Sequence, residues 1–184
     1  MPRVYLSLGS NLGDRLALLR AAVQQLQAHG LALVDASPLY ESEAWEEEPG
    51  RTDVERRWYL NCALAVETAL RPRDLLDHLQ AIETALGRTR TAGLTPEAQR
   101  FTPRTVDIDI IFYGDEVISV PDDIHVPHLL AAERAFVLRP LADIAPELTH
   151  PTLYRSIRDL LAELADEHEV RPGAYPARWF EEPA

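Results

Sequence analysis

Two aspartates one residue apart, Asp107 and Asp109, stand in a run of β-branched and aromatic residues closed by Gly114. Such a run predicts a β-strand over Thr105 to Tyr113. Side chains alternate along a strand, so Val106, Ile108 and Ile110 face one way and the two aspartates the other. Their Cα atoms then lie roughly 6.5–7 Å apart. Like charges at that spacing repel, and Asp is depleted in strands. A divalent cation between them would relieve the cost. Mg²⁺ suits the pair, because it takes one or two carboxylates and completes its shell with waters and substrate phosphates. Upstream, Arg88, Arg90, Arg100 and Arg104 fall in one window whose only carboxylate is Glu97. Permanently charged guanidinium forks beside a Mg²⁺ site are the equipment of phosphoryl transfer. The plainer alternative is a solvated edge strand that carries acid residues against aggregation.

The chain has 184 residues, 46% of them hydrophobic and 26% charged, with a formal net charge of −12. That composition predicts one folded domain over 1–184, with a core over 1–150 and a C-terminal helix and tail over 151–184. The acidic balance argues against nucleic acid as a partner, since counterion release needs a basic surface. Cys62 is the lone cysteine, which excludes an internal disulfide and fits a small core residue. Neither an apolar run of membrane length nor a signal-peptide pattern is visible, so a cytoplasmic monomer is expected.

The elements that must position the aspartates follow from periodicity. Val4 to Leu8 predicts a short strand. Gly9 to Asp14 then turns into a helix striped by Leu12, Leu16, Leu19, Val23 and Leu26, which Gly30 ends. This glycine turn lacks the Gly-Lys-Ser/Thr of a Walker loop and is taken as structural. Leu31 to Tyr40 predicts a second strand region. Glu46 to Arg57 is acidic and turn-rich, and reads as a mobile loop. Trp58 to Val66 predicts a third strand with Tyr59, Asn61 and Ala63 on one face. A second helix starts at Pro72, is striped by Leu75, Leu79, Ile82 and Leu86, and stops at Gly87. Gln80 and Glu83 lie one turn apart on its polar side, where such pairs are usually solvated. Thr89 to Thr102 is a long irregular segment of the kind that forms lids or binding loops. His125 and His128 lack a third His or Cys ligand, which speaks against a zinc pair. A final helix is predicted over Ser156 to Glu167, with Leu160, Leu161 and Leu164 inward, before a packed or frayed tail from Pro172 to Ala184. The fold class is α+β, a ferredoxin-like β-α-β-β-α-β antiparallel sheet with a helical C-terminal extension.

Several stretches carry a resemblance: Leu6 to Asp14, Tyr59-Leu60-Asn61, Gly87 to Arg90, Pro103 to Asp109, Val126-Pro127-His128 and Arg134-Ala135-Phe136. In this order, up to about Pro146-Glu147, the chain resembles the 6-hydroxymethyl-7,8-dihydropterin pyrophosphokinase family of folate biosynthesis. The run through Asp107 and Asp109 followed by Val126-Pro127-His128 is its most specific part. The resemblance implies transfer of pyrophosphate from ATP to the pterin hydroxymethyl, releasing AMP, with two Mg²⁺ ions. It implies that Asp107 and Asp109 hold both metals, and that Arg88 and Arg104 neutralise phosphate charge with Arg90, Arg134 and His128. It further implies that Gln80, Glu83 and the backbone of Ile110 border the adenosine. Ser42, the Trp45 backbone, Tyr59, Asn61 and Phe136 would enclose the pterin, with Phe101 entering from the irregular segment. Three departures stand out: Phe101 where relatives often carry tryptophan, Thr91 where a basic residue is common, and Asp123 where arginine can stand.

Two other classes remain in view. One is a non-catalytic module that binds a metabolite on the same scaffold, against which the intact Asp107, Asp109, Arg88 and Arg104 speak. The other, a metal-dependent nuclease or phosphatase, is disfavoured by the acidic surface and by the lack of further clustered carboxylates.

Overall fold

The computed structural model describes residues 1–44, 58–88, 105–121 and 123–181. The acidic loop 46–57 and the irregular segment 89–102 lie outside the described residues.

β1 (Arg3–Ser10) is the central strand. It pairs antiparallel with β4 (Tyr59–Glu67) on one side and with β5 (Asp107–Tyr113) on the other. Between β1 and β4 come α1 (Arg15–Ala28), β2 (Ala32–Ala36) and β3 (Tyr40–Ser42). Both short strands pair with β4, and α2 (Pro72–Ala85) links β4 to β5. The sheet order β5-β1-β4, flanked by β2 and β3, is that of the expected split arrangement of antiparallel strands and two helices.

Periodicity explains the layers. Val4, Leu6, Leu8, Leu60, Cys62, Leu64, Ile108 and Ile110 share one face and pack in one core cluster with Leu19, Leu26, Leu75 and Leu79 of α1 and α2. α1 begins where Asp14 accepts a hydrogen bond from Ala17 N at 3.0 Å, satisfying an otherwise orphaned amide. The opposite face is covered only in part. Tyr5, Ala63, Ile111 and Phe112 pack there against α3 (Ala135–Ile144) and α4 (Ile157–Ala162). Ser7, Gly9, Asn61, Asp107 and Asp109, further along the same face, line a cleft instead.

A bulge marks the boundary between the two halves. Tyr5 pairs with Phe112 and Leu6 with Ile110, so Ile111 is an extra residue in β5. Its carbonyl accepts from His128 N at 3.2 Å. That bond ties down the segment that follows the hairpin of β6 (Ile118–Val120) and β7 (Ile124–Val126), including the cis Val126–Pro127 peptide.

Four expectations need correction. The strand region Leu31 to Tyr40 is two strands, because Pro38 has no amide for the ladder. Ser37 fills the gap, with its amide donating to Ala63 O and its hydroxyl accepting from Ala63 N, both at 2.9 Å. α3 has no counterpart in the elements read from sequence; it contains Pro140, a residue that ordinarily argues against a helix interior. The last helix ends at Ala162 rather than near Glu167, because the chain turns there to place Asp166 against the start of α3. Finally, part of the tail is a strand: β8 (Val170–Pro172) pairs with β3. Trp179 is fully buried in the main core, donating from Nε1 to Ser37 O at 2.8 Å. Among the described residues no helix is long and apolar enough to cross a membrane.

Trp179→Ala removes a large core side chain and the partner of the Ser37 carbonyl. Urea titration is expected to show a loss of about 3–5 kcal/mol. A loss below about 1 kcal/mol would mean that the tail is not part of the cooperative core.

Candidate active site

The strand register sets the site. Gly9 pairs with Asp107 on one side and Asn61 on the other, and Ser7 pairs with Asp109 and Ala63. Asp107 and Asn61 therefore stand on one face of the sheet with only a glycine between them. A Cβ on Gly9 would meet Asn61 Oδ1 at 3.0 Å. The glycine that sequence reasoning took for a turn residue is thus a close-approach position. An isolated glycine at the end of a strand pattern was the available signal.

Asn61 is 3% exposed and its Nδ2 donates to Ser42 Oγ at 2.8 Å. Ser42 in turn pairs with Tyr59 across β3 and β4. The amide is thereby oriented on one side, with its edge turned along the cleft wall beside Tyr59. Phe136 stands in the first turn of α3, and the Arg134 guanidinium carbon lies 5.6 Å from its ring centroid. His128 Nδ1 accepts from Leu130 N at 3.3 Å, which leaves Nε2 as the ring nitrogen able to carry and donate a proton.

Glu83 departs from expectation. It is 2% exposed rather than solvated. β5 is an edge strand, so some of its amides point away from β1 and need another acceptor. Glu83 Oε1 accepts from Ile108 N at 2.8 Å, the residue between the two aspartates. α2 ends at Ala85, and the turn after it passes through Gly87, whose φ of +89° is one that other residues rarely adopt. That turn lets Arg88 N donate to Glu83 O at 3.0 Å and brings the Arg88 side chain back onto the same carboxylate. Arg88 Nη1 also lies 2.7 Å from Asp107 Oδ1. Burial pushes the Glu83 carboxyl up to about 7, reinforced by the charge of Asp107 and, less, of Asp109. Arg88 and the Ile108 amide oppose the rise without cancelling it.

These groups surround one cavity of about 640 Å³. Gln80, Glu83, Arg88, Asp107, Asp109 and Ile110 form one side, Ser42, Tyr59 and Asn61 another, and His128, Arg134 and Phe136 a third. Glu43, Leu76, Leu129 and Leu130 also line it without having been singled out from sequence, and so do Asp123, noted above as a departure, and His125, weighed above only as half of a metal pair. Trp45, Arg90, Phe101 and Arg104 lie outside the described residues. His125 Nδ1 lies 3.2 Å from Ser119 Oγ. Among the described residues no three His, Cys, Asp or Glu side chains gather closely enough to cage a metal. Asp107 and Asp109 are instead a pair of oxygen donors on a half-exposed strand face, a set suited to a hard cation that keeps waters and takes substrate oxygens.

The description 7,8-dihydro-6-hydroxymethylpterin-pyrophosphokinase matches residues 5–146. The chain belongs to that family. A 2-amino-4-hydroxy-6-hydroxymethyldihydropteridine pyrophosphokinase of Methylorubrum extorquens is 40% identical over 165 residues, covering 89% of this chain and 94% of the relative. The protein of the same name from Pseudomonas aeruginosa is 41% identical over 174 residues, 94% of this chain and 98% of its own. Among solved structures, Plasmodium falciparum HPPK-DHPS with pteroate superposes with a TM-score of 0.65 at 18% identity, a likeness of fold. The match takes in 88% of this chain and 42% of that one, so the pyrophosphokinase-family chain spans under half of the longer protein.

The raised Glu83 pKa has a consequence for stability. The folded protein holds this proton more tightly than the unfolded chain, whose carboxyl titrates near 4.5. Stabilisation from Glu83 is therefore complete below that value and is lost as pH climbs toward about 7. In EDTA, wild type is expected to lose stability relative to Glu83→Gln between about pH 5 and pH 7, by up to roughly 1.4 kcal/mol per pH unit. Urea titrations at several pH values would show it. A constant difference across the window would place Glu83 at an ordinary pKa.

Proposed function

We propose that the cleft transfers the pyrophosphoryl group of ATP to the hydroxyl of 6-hydroxymethyl-7,8-dihydropterin. The products are AMP and the pterin diphosphate, an activated intermediate of folate biosynthesis. The observation that carries the residue-level reading is the row Asp107, Gly9, Asn61 across three paired strands. It sets a phosphate-side carboxylate and a pterin-side amide next to one another, separated only by a residue without a side chain.

Asp107 and Asp109 would hold two Mg²⁺. Bound there, the ions would supply Lewis-acid neutralisation of phosphate charge. Everything else is alignment and charge placement by the chain itself. The pterin oxygen attacks the β-phosphorus, the bond from that phosphorus to the α–β bridging oxygen breaks, and the hydroxyl proton is released. Reactions of this type gain most from fixed geometry and from stabilised charge on the transferred group. Arg88, anchored by Glu83, would neutralise phosphate charge beside Asp107. Arg134 and His128 add positive charge or a donor, and the resemblance assigns Arg90 and Arg104, outside the described residues, to phosphate as well. Gln80, Glu83 and the Ile110 backbone border the adenosine. Asn61, fixed by Ser42, reads the amide edge of the pterin with both a donor and an acceptor. Tyr59 and Phe136 supply faces for the flat ring, and the resemblance assigns Phe101 and the Trp45 backbone, outside the described residues, to the same ligand.

Product analysis tests the reading. With ATP, the pterin and Mg²⁺, wild type is expected to release AMP and pterin diphosphate in equal amounts, and EDTA to abolish both. Asp107→Ala and Asp109→Ala are each expected to lower kcat by at least about a hundredfold with little change in urea midpoint. ADP as the nucleotide product, or turnover near wild type in both variants, would contradict it.

A further inference from the structure

We infer that residues 166–172, beyond the stretch that matches the family description, form a strap that fixes the pterin half of the cleft, with Arg171 and Asp166 as positioning residues. The inference rests on the reading of Ser42, Tyr59, Asn61 and Phe136 as the pterin wall.

One end of the strap grips α3. The residue that starts that helix, Arg134, offers no side-chain cap, so the first amides need an acceptor from elsewhere. Asp166 supplies it: its buried carboxylate accepts from Ala135 N at 2.8 Å through Oδ2. Oδ1 accepts from His168 N at 3.0 Å and lies 2.6 Å from His168 Nδ1, so the cap is itself held from both sides. Ala135 sits between Arg134 and Phe136. Fixing its amide fixes the helix start from which both cleft side chains project.

The other end grips β3 and β4. Glu169 N donates to Glu43 Oε2 at 3.0 Å, and Glu43 N donates to Glu169 O at 3.1 Å. Val170 then pairs with Ser42 and Arg171 with Glu41 in the sheet. The Arg171 guanidinium bonds Glu41 Oε2 through Nη2 at 3.0 Å and lies 4.1 Å above the centre of the Trp58 ring. Arg15 completes the clamp, reaching Glu41 Oε1 at 3.0 Å and Trp58 O at 2.9 Å. Trp58 is thus held by its ring and by its carbonyl at the residue just before Tyr59. Burial alone would raise the Glu41 carboxyl, but the hydrogen bonds from Arg171 and Arg15 outweigh it and hold it below the usual range.

A short connection between two walls sets the distance between them. A flat ligand held between those walls is sensitive to small errors in that distance. Arg171 itself is half exposed, and exposed ion pairs contribute little to stability. Its removal is therefore expected to move substrate affinity more than folding.

Steady-state kinetics on the full chain test this. Arg171→Ala is expected to raise KM for the pterin about tenfold, leave KM for ATP within about twofold and leave the urea midpoint nearly unchanged. Arg171→Lys, which keeps a cation over Trp58, should recover part of the loss. Asp166→Asn should also raise the pterin KM, and titration of the pterin onto protein saturated with a non-hydrolysable ATP analogue should show the same weakening. A pterin KM like that of wild type in Arg171→Ala overturns the inference, as does an equal rise for both substrates or a fall in kcat alone. Should Asp166→Asn fail to fold, Arg171→Ala decides. Failure of wild type to make AMP and pterin diphosphate would sink the functional reading instead.

Discussion

The arrangement of the site turns on the need to compensate negative charge. Glu83, Asp107 and Asp109 bring three carboxylates into electrostatic reach of one another, and Arg88 bridges two of them. Glu83 answers its burial with a raised pKa and a bond to the Ile108 amide. Asp107 and Asp109 face the cavity. Like charges held this close cost free energy unless cations offset them, so this cluster favours cations. Arg88 serves as one of them. In the proposed reaction the same demand would draw metal and nucleotide phosphate to the strand.

The sheet supplies the rest through register. β1 is paired on both sides, so Ser7 and Gly9 align the aspartates of β5 with Asn61 of β4 without any loop between them. Strand-borne side chains are held more rigidly than loop-borne ones. The bulge at Ile111 then divides the sheet face: beyond it α3 and α4 cover the apolar residues, and before it the face stays open as the cleft. The same extra residue holds His128 through its carbonyl. The C-terminal segment closes the frame by joining the start of α3 to β3.

How much was legible in sequence depended on whether a residue's role was local. The alternation around Asp107 and Asp109 is a property of the strand itself, and the two helices over the main core follow from their apolar stripes. The burial of Glu83 was not legible, because it answers an edge-strand amide that only the packing of α2 on β5 brings near. Its place on the polar side of a helix pointed the other way. Gly9 looked like part of a turn because its cross-strand neighbours, Asp107 and Asn61, are remote in sequence. α3 was hidden by Pro140, and β8 by its setting in a proline-rich tail. The strap is wholly non-local: Asp166 lies 31 residues from Ala135, and Arg171 lies 130 from Glu41.

The most direct test is a crystal structure with Mn²⁺, a non-hydrolysable ATP analogue and the pterin, with the metal located by anomalous scattering. The account predicts two metal peaks in contact with the Asp107 and Asp109 carboxylates, Arg88 withdrawn from Asp107 onto phosphate, and the pterin hydroxyl facing the β-phosphorus. Carboxylates without metal, with Arg88 still bonded to Asp107 while both ligands are present, would contradict it.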